Sequence, residues 1–206
     1  FFQKNMMKET RIAVDAMGGD GGPEIIMPSV KDFLSENREV KIDVYGDEKI
    51  LSKYLNLFDS DISRNLKIIH TDEKVLSEDS PSHALRHKKN SSMSMAIKSV
   101  KDKNAQACVS AGNTGALMAI SRFILGTLDG IDRPAIESML PSLNGHTHVL
   151  DLGANIDSKA EHLYQFAVMG SALSSVLDEK ENPSVGLLNV GEETIKGNTQ
   201  VKEAHD

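Results

Sequence analysis

Apolar positions along the chain follow two alternating rhythms. Short apolar runs occupy positions 11–16, 41–45, 66–69 and 105–110, which predicts four strands. Three of these runs stop abruptly, at Asp15-Ala16-Met17-Gly18-Gly19-Asp20, at Gly46-Asp47 and at Ser110-Ala111-Gly112. Between them, apolar residues recur at intervals of three and four: Ile26, Val30, Phe33 and Leu34; then Ile50, Leu51, Tyr54 and Leu55; then Met93, Ala96, Ile97 and Val100. That spacing places each set on one face of a helix. Pro23 suits the first turn of the first helix, Asp47 would cap the second, and Asn90 or Ser91 starts the third. Asp79-Ser80-Pro81 opens a turn before a short helical stretch over 82–89, and a helix-periodic run over 116–125 follows the fourth strand. Strands alternating with helices at this spacing predict an α/β fold with a parallel, doubly wound sheet.

The rhythm then changes. Runs at 135–140 and 148–152, joined across Asn144-Gly145, read as two strands of an antiparallel hairpin. A long helix follows, with Leu163, Phe166, Ala167, Gly170, Leu173 and Val176 on its apolar face, and Asn182-Pro183 ends it. Positions 185–190 read as a further buried strand, and 200–204 as the start of another helix. Residues 1–10 form an N-terminal extension in which Met7 resembles a natural start, and 11–206 form one α/β catalytic domain. The stop at Asp206, a few residues into a helix, reads as C-terminal truncation.

Four of the predicted strands end in small polar loops: 15–22, 110–115, 151–155 and 189–198. In a parallel sheet all four would gather at one edge, where ligands bind. The loop at 110–115 leads straight into a helix, and a helix N-terminus suits an anion. None of the loops matches a dinucleotide or nucleoside-triphosphate fingerprint, so a small anion such as phosphate fits better. A second constellation is Arg86-His87-Lys88-Lys89 followed by the capping run Asn90-Ser91-Ser92, which balances anion capture against an ordinary solvated charge run.

Composition narrows the choice. Of 206 residues, 39% are hydrophobic and 26% charged, enough apolar surface for a folded core. A net charge of −7 argues against a general nucleic-acid partner. Cys108 stands alone, so no internal disulfide forms and a reducing compartment fits; mid-strand among Ala and Val it reads as a small hydrophobe. No apolar run reaches the length of a membrane span, and no secretory signal is evident at the start. The seven histidines show no metal-ligand spacing, and His146-x-His148 lacks a third partner, so no metal is expected.

Several motifs occur together and in order: Asp15 to Asp20, Ala84 to Met93, Ser110 to Ala119, Gly130-Ile131-Asp132-Arg133-Pro134-Ala135, Leu152-Gly153-Ala154-Asn155, and Lys196-Gly197-Asn198. With 165–170 and 185–191 they make the chain resemble the PlsX family of bacterial phosphate acyltransferases from about Arg11 onward. The resemblance implies a three-layer α/β/α fold shared with phosphotransacetylase and isopropylmalate dehydrogenase. It implies that orthophosphate attacks a fatty acyl thioester on acyl carrier protein, giving acyl phosphate for a membrane glycerol-3-phosphate acyltransferase in phospholipid synthesis. It further implies a cytoplasmic homodimer that associates peripherally with the membrane and needs no organic cofactor. Two alternatives stay open: a short-chain phosphotransacetylase acting on acyl-CoA, and a truncated, non-catalytic phosphate-binding chain.

Under this resemblance Asp15, Asn113, Asn155 and Lys196 are the candidate catalytic residues. Phosphate or substrate would be held by Gly18, Gly19, Asp20, Ser91, Ser92, Ser110, Gly112, Thr114, Gly115, Asp151, Gly153, Gly197 and Asn198. Arg86, Lys88 and Lys89 would grip phosphate, or steer the acidic carrier protein and its phosphopantetheine. Asp15, Asp20 and Asp151 are unranked candidates for moving protons. A loop amide contributes little packing, so Asn113→Ala is expected to cost turnover rather than stability. Three departures stand out: Gly21-Gly22-Pro23 replaces a usual His-Ala-Pro, Glu137-Ser138 a usual Ala-Pro, and Glu192 a usual Thr. The family also continues past the residue matching Asp206, with elements that complete the sheet, the dimer contacts and one wall of the cleft.

Overall fold

The computed structural model describes residues 9–143, 145–153, 155, 157–191, 193 and 196–206. Most of the expected N-terminal extension, Asn144 of the expected turn, Ala154 and the Glu192 departure lie outside these residues. The chain divides into two compact units, Phe1–Gly126 and Thr127–Asp206.

In the first unit, β1 (Arg11–Asp15), β2 (Lys41–Gly46), β3 (Leu66–His70) and β4 (Ala107–Ser110) form one parallel sheet in the order β3-β2-β1-β4. The strands are those the apolar runs predict, to within two residues at an end. Alternation sends their side chains to two faces. Val14, Ile42 and Val44 point to one face and meet Met27, Val30 and Leu34 of α1 (Pro23–Glu36), the i, i+3, i+7 stripe of that helix. Ala13 and Tyr45 point to the other and pack with Ala96 of α5 (Ser92–Lys101) and Ala105. Each fully buried aliphatic side chain of this kind contributes about 1.5–3 kcal/mol. Buried Asp43 is the polar exception in the β2 run, and Arg11 Nη1 donates to its Oδ1 at 2.6 Å.

The crossovers fix the topology. The β1–β2 connection uses α1 on one face, and the β3–β4 connection uses α5 on the other. Two short helices, α2 (Glu48–Leu51) and α3 (Ser60–Ser63), lie between β2 and β3, and Asp47 caps α2 as its sequence predicts. Helices α4 (Pro81–His87) and α6 (Thr114–Leu125) pack with α5 around Met93, Ile97, Ala116 and Ile120. The result is a doubly wound, three-layer α/β/α unit. Chain direction across the sheet reverses between β1 and β4.

In the second unit, β5 (Glu137–Ser142) and β6 (Gly145–Leu150) pair antiparallel in a separate two-stranded sheet, with Ser142 opposite Gly145. The hairpin expectation holds, but both strands sit nearer the turn than the apolar pattern implied. Helix α7 (Ala160–Leu177) buries Phe166 together with His162, Gln165 and Ser174, while Val176 stays exposed. Helix α8 (Thr199–His205) is capped by Asn198.

One predicted element is absent. Residues 185–190 are not a strand, and Leu188 and Val190 are 95% and 87% exposed. An apolar run becomes a strand only when an edge satisfies its backbone groups. Among the described residues of the second unit, the only strands are β5 and β6, paired with each other. The expected parallel-sheet edge carrying four loops is therefore corrected. Two of the loops follow strands of the parallel sheet, one follows the antiparallel hairpin, and one follows no strand.

Candidate functional site

The reversal point between β1 and β4 is where an open α/β sheet leaves a crevice at its carboxyl edge. Asp15 and Ser110 are register partners there, the last residues of their strands. Asp15 is buried, and its Oδ2 accepts from Ser110 Oγ at 2.7 Å while Oδ1 accepts from the Met17 N–H at 3.2 Å. Ser110 Oγ in turn accepts from the Gly112 N–H at 3.1 Å. One carboxylate thereby orients both loops.

Above this pair the loops touch backbone to backbone. A Cβ on Gly18 would lie 2.6 Å from Asp15 Oδ2, 2.9 Å from Gly112 Cα and 3.0 Å from Gly112 N. A Cβ on Gly112 would meet Met93 Cε at 3.0 Å and Ser110 Oγ at 3.2 Å. A side chain at Gly18 would drive into the facing backbone, whereas at Gly112 the nearest neighbour is the flexible end of Met93, which could shift. Gly19 packs on Ala111, and Asp20 is exposed on the same loop.

Helix α6 starts directly behind the second loop. The first-turn N–H groups of a helix lack intrahelical acceptors. Thr114 and Gly115 lie exposed in that turn, and the Ala116 N–H is capped by Asn113 Oδ1 at 3.0 Å. The other end of the Asn113 amide is fully committed. Its Nδ2 donates to the carbonyls of Ser77 and Asp79, both at 2.9 Å, and lies 3.3 Å from that of Leu76. Asn113 is thus a tether between α6 and the segment before α4, a set of contacts that the expectation of little packing did not include. Asp79 holds that segment from below, accepting from the Leu76 N–H at 2.8 Å. This N–H, aided by His83 3.1 Å away, holds the Asp79 carboxyl below its ordinary range against the opposing effect of desolvation.

The basic segment spans the last turn of α4 and the turn that leads into α5. Arg86 and Lys89 are exposed and form no ion pair among the described residues; Lys88 is half-buried and acts electrostatically on Asp79. Ser91 caps α5, and its hydroxyl and that of Ser94 both donate to the Lys88 carbonyl at 2.7 Å. Ser92 is fully buried, and its Oγ has no hydrogen-bond partner among the described residues. The first unit thus brings together Asp15, Gly18, Gly19, Ser110, Gly112 and the start of α6. Cys108 sits on the α5 face of β4, and burial, with Asp15 nearby, pushes its thiol up to about 12.

The remaining candidates belong to the second unit. Asp151 holds a left-handed backbone (φ 67°) and organises its own loop. Its Oδ1 accepts from Asn155 Nδ2 at 2.7 Å and from the Asn155 N–H at 3.2 Å, and its Oδ2 from Ser158 Oγ at 3.0 Å. Asn155 Nδ2 also reaches the Pro134 carbonyl at 3.2 Å. Gly153 is exposed with φ 77°, Lys196 is exposed, and Gly197 packs against the Asn189 side chain. Asn198 Oδ1 accepts from the Val201 N–H at 2.9 Å. Sequence reasoning missed the 76–79 segment and the Asp132–Gln165 clasp, in which Gln165 Nε2 donates to Asp132 Oδ2 at 2.9 Å and the Asp132 N–H to Gln165 Oε1 at 2.8 Å. Both join residues more than thirty positions apart; Asp132 and Gln165 lie in motifs that carry the family resemblance, but no local pattern marks their pairing.

Residues 10–206 match the model of a family described as fatty acid synthesis protein. The chain is 57% identical over 195 residues to a phosphate acyltransferase of Methylococcus capsulatus, covering 95% of this chain and 58% of that protein. It is 54% identical to the phosphate acyltransferases of Nitrosococcus oceani and Legionella pneumophila, covering 94% and 95% of this chain and 57% of each relative. The chain thus spans little more than half the length of these curated relatives. In three dimensions it resembles the EutD phosphotransacetylase from Staphylococcus aureus, with a TM-score of 0.60, 20% identity, and coverage of 95% of this chain and 62% of the other. That likeness is one of fold.

Proposed function

Since the chain belongs to the fatty acid synthesis protein family, whose similar members are phosphate acyltransferases, we propose that it transfers a fatty acyl group from acyl carrier protein to orthophosphate. The observation that carries this is the hydrogen-bonded Asp15–Ser110 pair beneath the glycine contact at the sheet's reversal point. Phosphate rests against the N–H groups of the loops at 18–20 and 111–115 and the first turn of α6, which favour negative charge. Asp15 acts by aiming Ser110, and Asn113 by holding the start of α6 in place.

Hydrogen phosphate is already a nucleophile at neutral pH, so positioning and oxyanion stabilisation are the main demands. A phosphate oxygen attacks the thioester carbonyl and a C–O bond forms. The C–S bond then breaks, and the proton that phosphate gives up ends on the released thiol. The products are acyl phosphate and free carrier. Arg86, Lys88 and Lys89 attract the acidic carrier, or the phosphate of its prosthetic arm, beside the Ser91–Ser92 start of α5. Asn155 and Lys196, with Asp151, Gly153, Gly197 and Asn198, are the groups the second unit offers to the same reaction. On this reading residues 11–206 form the catalytic part of a cytoplasmic homodimer that works beside the membrane and supplies a glycerol-3-phosphate acyltransferase. No described helix is long and apolar enough to cross a membrane.

The test supplies palmitoyl-carrier protein or palmitoyl-CoA, with and without phosphate, and follows free thiol and hydroxylamine-trapped acyl phosphate. Phosphate-dependent thiol release, faster with the carrier, is the expected result. Preference for a short-chain CoA donor would turn the assignment to a phosphotransacetylase. Absence of release with any donor, together with absence of phosphate binding by 31P NMR, would refute it.

A further inference from the structure

The β5–β6 hairpin and the end of α7 carry a cluster unrelated to the loops above. His146 and His148 are two apart on β6, so both point to one face, the same one as Glu137 on β5. Helix α7 packs on β6, with Gly170 against Leu150, and its C-cap residue Asp178 reaches the two imidazoles. His146 Nε2 lies 2.8 Å from Asp178 Oδ1, and His148 Nε2 lies 3.4 Å from Oδ1 and 3.3 Å from Oδ2. Donor atoms of His146, His148 and Asp178 all fall within 4.8 Å of one another.

We propose that His146 Nε2, His148 Nε2 and Asp178 Oδ1 form a binding site for a divalent transition metal of the Zn2+ type. Four-coordinate zinc with bonds of about 2.0–2.1 Å holds its ligands roughly 3.3 Å apart. The two His148–Asp178 separations already match, and the His146–Asp178 one needs to open by about half an ångström. Two imidazoles and a carboxylate favour zinc over magnesium or calcium.

Two outer contacts argue for a built site. His148 Nδ1 lies 2.7 Å from Glu137 Oε1; in the tautomer whose Nδ1–H donates to this carboxylate, the Nε2 lone pair is free for a metal. A carboxylate–histidine pair is the usual support of a zinc-bound imidazole. On the acidic side, Ser174 Oγ donates to Asp178 Oδ2 at 2.7 Å, which leaves Oδ1 to face both histidines. A carboxylate at the negative end of an 18-residue helix is also misplaced unless cations gather there. Lys180 Nζ, 3.4 Å from Oδ2 and more than half exposed, is the present competitor. His148 and Asp178 are largely buried and His146 is partly exposed, so the fourth position faces solvent and takes water.

The test uses the full chain, prepared without a histidine tag and stripped with a chelator. ZnCl2 is titrated calorimetrically, and Co2+ replaces zinc as a spectroscopic probe. One ion per chain with a tetrahedral cobalt spectrum is expected. His146→Gln and Asp178→Asn should remove binding. Glu137→Gln should weaken it about 10- to 100-fold, and Lys180→Ala should strengthen it. His146 lies at a partly exposed strand position, so that variant keeps its fold, checked by circular dichroism and metal-free melting. The proposal fails if the wild type binds no zinc. It fails equally if His146→Gln and Asp178→Asn bind as the wild type does, which would place the ion elsewhere, as at the neighbouring His83–His87 pair.

Discussion

Replacing Asn113 separates two contributions that one side chain makes at once. Its Oδ1 caps α6, and such a cap contributes about 1 kcal/mol. Its Nδ2 holds the Ser77 and Asp79 carbonyls at 2.9 Å. Each such bond contributes about 1 kcal/mol net, less where water can replace the donor. Ser77 is exposed and Asp79 half-buried, so replacement by water is partial. Asn113→Ala should therefore cost about 2–3 kcal/mol. Asn113→Ser keeps an oxygen at the cap but cannot reach the 76–79 segment, so it should cost about 1–2 kcal/mol, all of it from the tether. Urea unfolding gives the totals, and hydrogen exchange read on peptides from the first unit localises them. Faster exchange at 76–79 in both variants, and near Ala116 only in the alanine variant, is expected. If Asn113→Ala lies within about 0.5 kcal/mol of the wild type, the range of an ordinary surface change, the tether has no energetic substance.

Gly18→Ala forces apart the two loops at the reversal point and should cost about 1–3 kcal/mol together with phosphate binding. Gly112→Ala should cost less, because the nearest atom to its new Cβ is the mobile end of Met93; calorimetric melting and 31P titration rank the two. Cys108 should resist alkylation at pH 8: with its thiol near 12, about 1 in 10,000 molecules carries the thiolate, against roughly a quarter for an ordinary cysteine. Iodoacetamide labelling that matched the unfolded chain would contradict this. The Asp79 carboxyl is held below its unfolded value, so its contribution is fully present above that value and is lost as pH falls through the folded one. An NMR titration of the Leu76 amide should show a midpoint below the ordinary aspartate range; a midpoint at or above that range would contradict the bond's effect.

What the sequence disclosed and what it withheld follow the range of the forces involved. Strand alternation and helix stripes are local, so β1 to β4, α1, α5 and α6 were all legible, as were the caps at Asp47 and Ser91. The two loops at the reversal point were legible because strand ends of a parallel sheet share one edge. Residues 185–190 misled because an apolar run states a preference, and the partner edge it needs is not encoded locally. Asn113 was only half legible for the opposite reason: it carries an ordinary local signal, a cap, while its other contact reaches 34 residues away, to Asp79. Asp178 carried no signal at all, since the helix stops short of Asn182-Pro183 and its contact to His148 spans 30 residues.

The Asp15–Ser110 bond joins residues 95 positions apart. It therefore has a history as well as a geometry. Neither loop has its shape until β1 lies beside β4, and β4 is reached only after the chain has passed through two other strands and three crossover connections. Closing so long a loop is a slow, entropically costly event. Under the proposed function, a growing chain that has emerged only through β3 has the first loop but not its counterpart, and would have no affinity for the anion. Phosphate bound at this junction would select the finished first unit alone, and at a hundred times its dissociation constant would favour that state by about 2.7 kcal/mol. The proposed substrate would then double as a late check on assembly, retaining chains whose sheet is complete and ignoring those still being threaded.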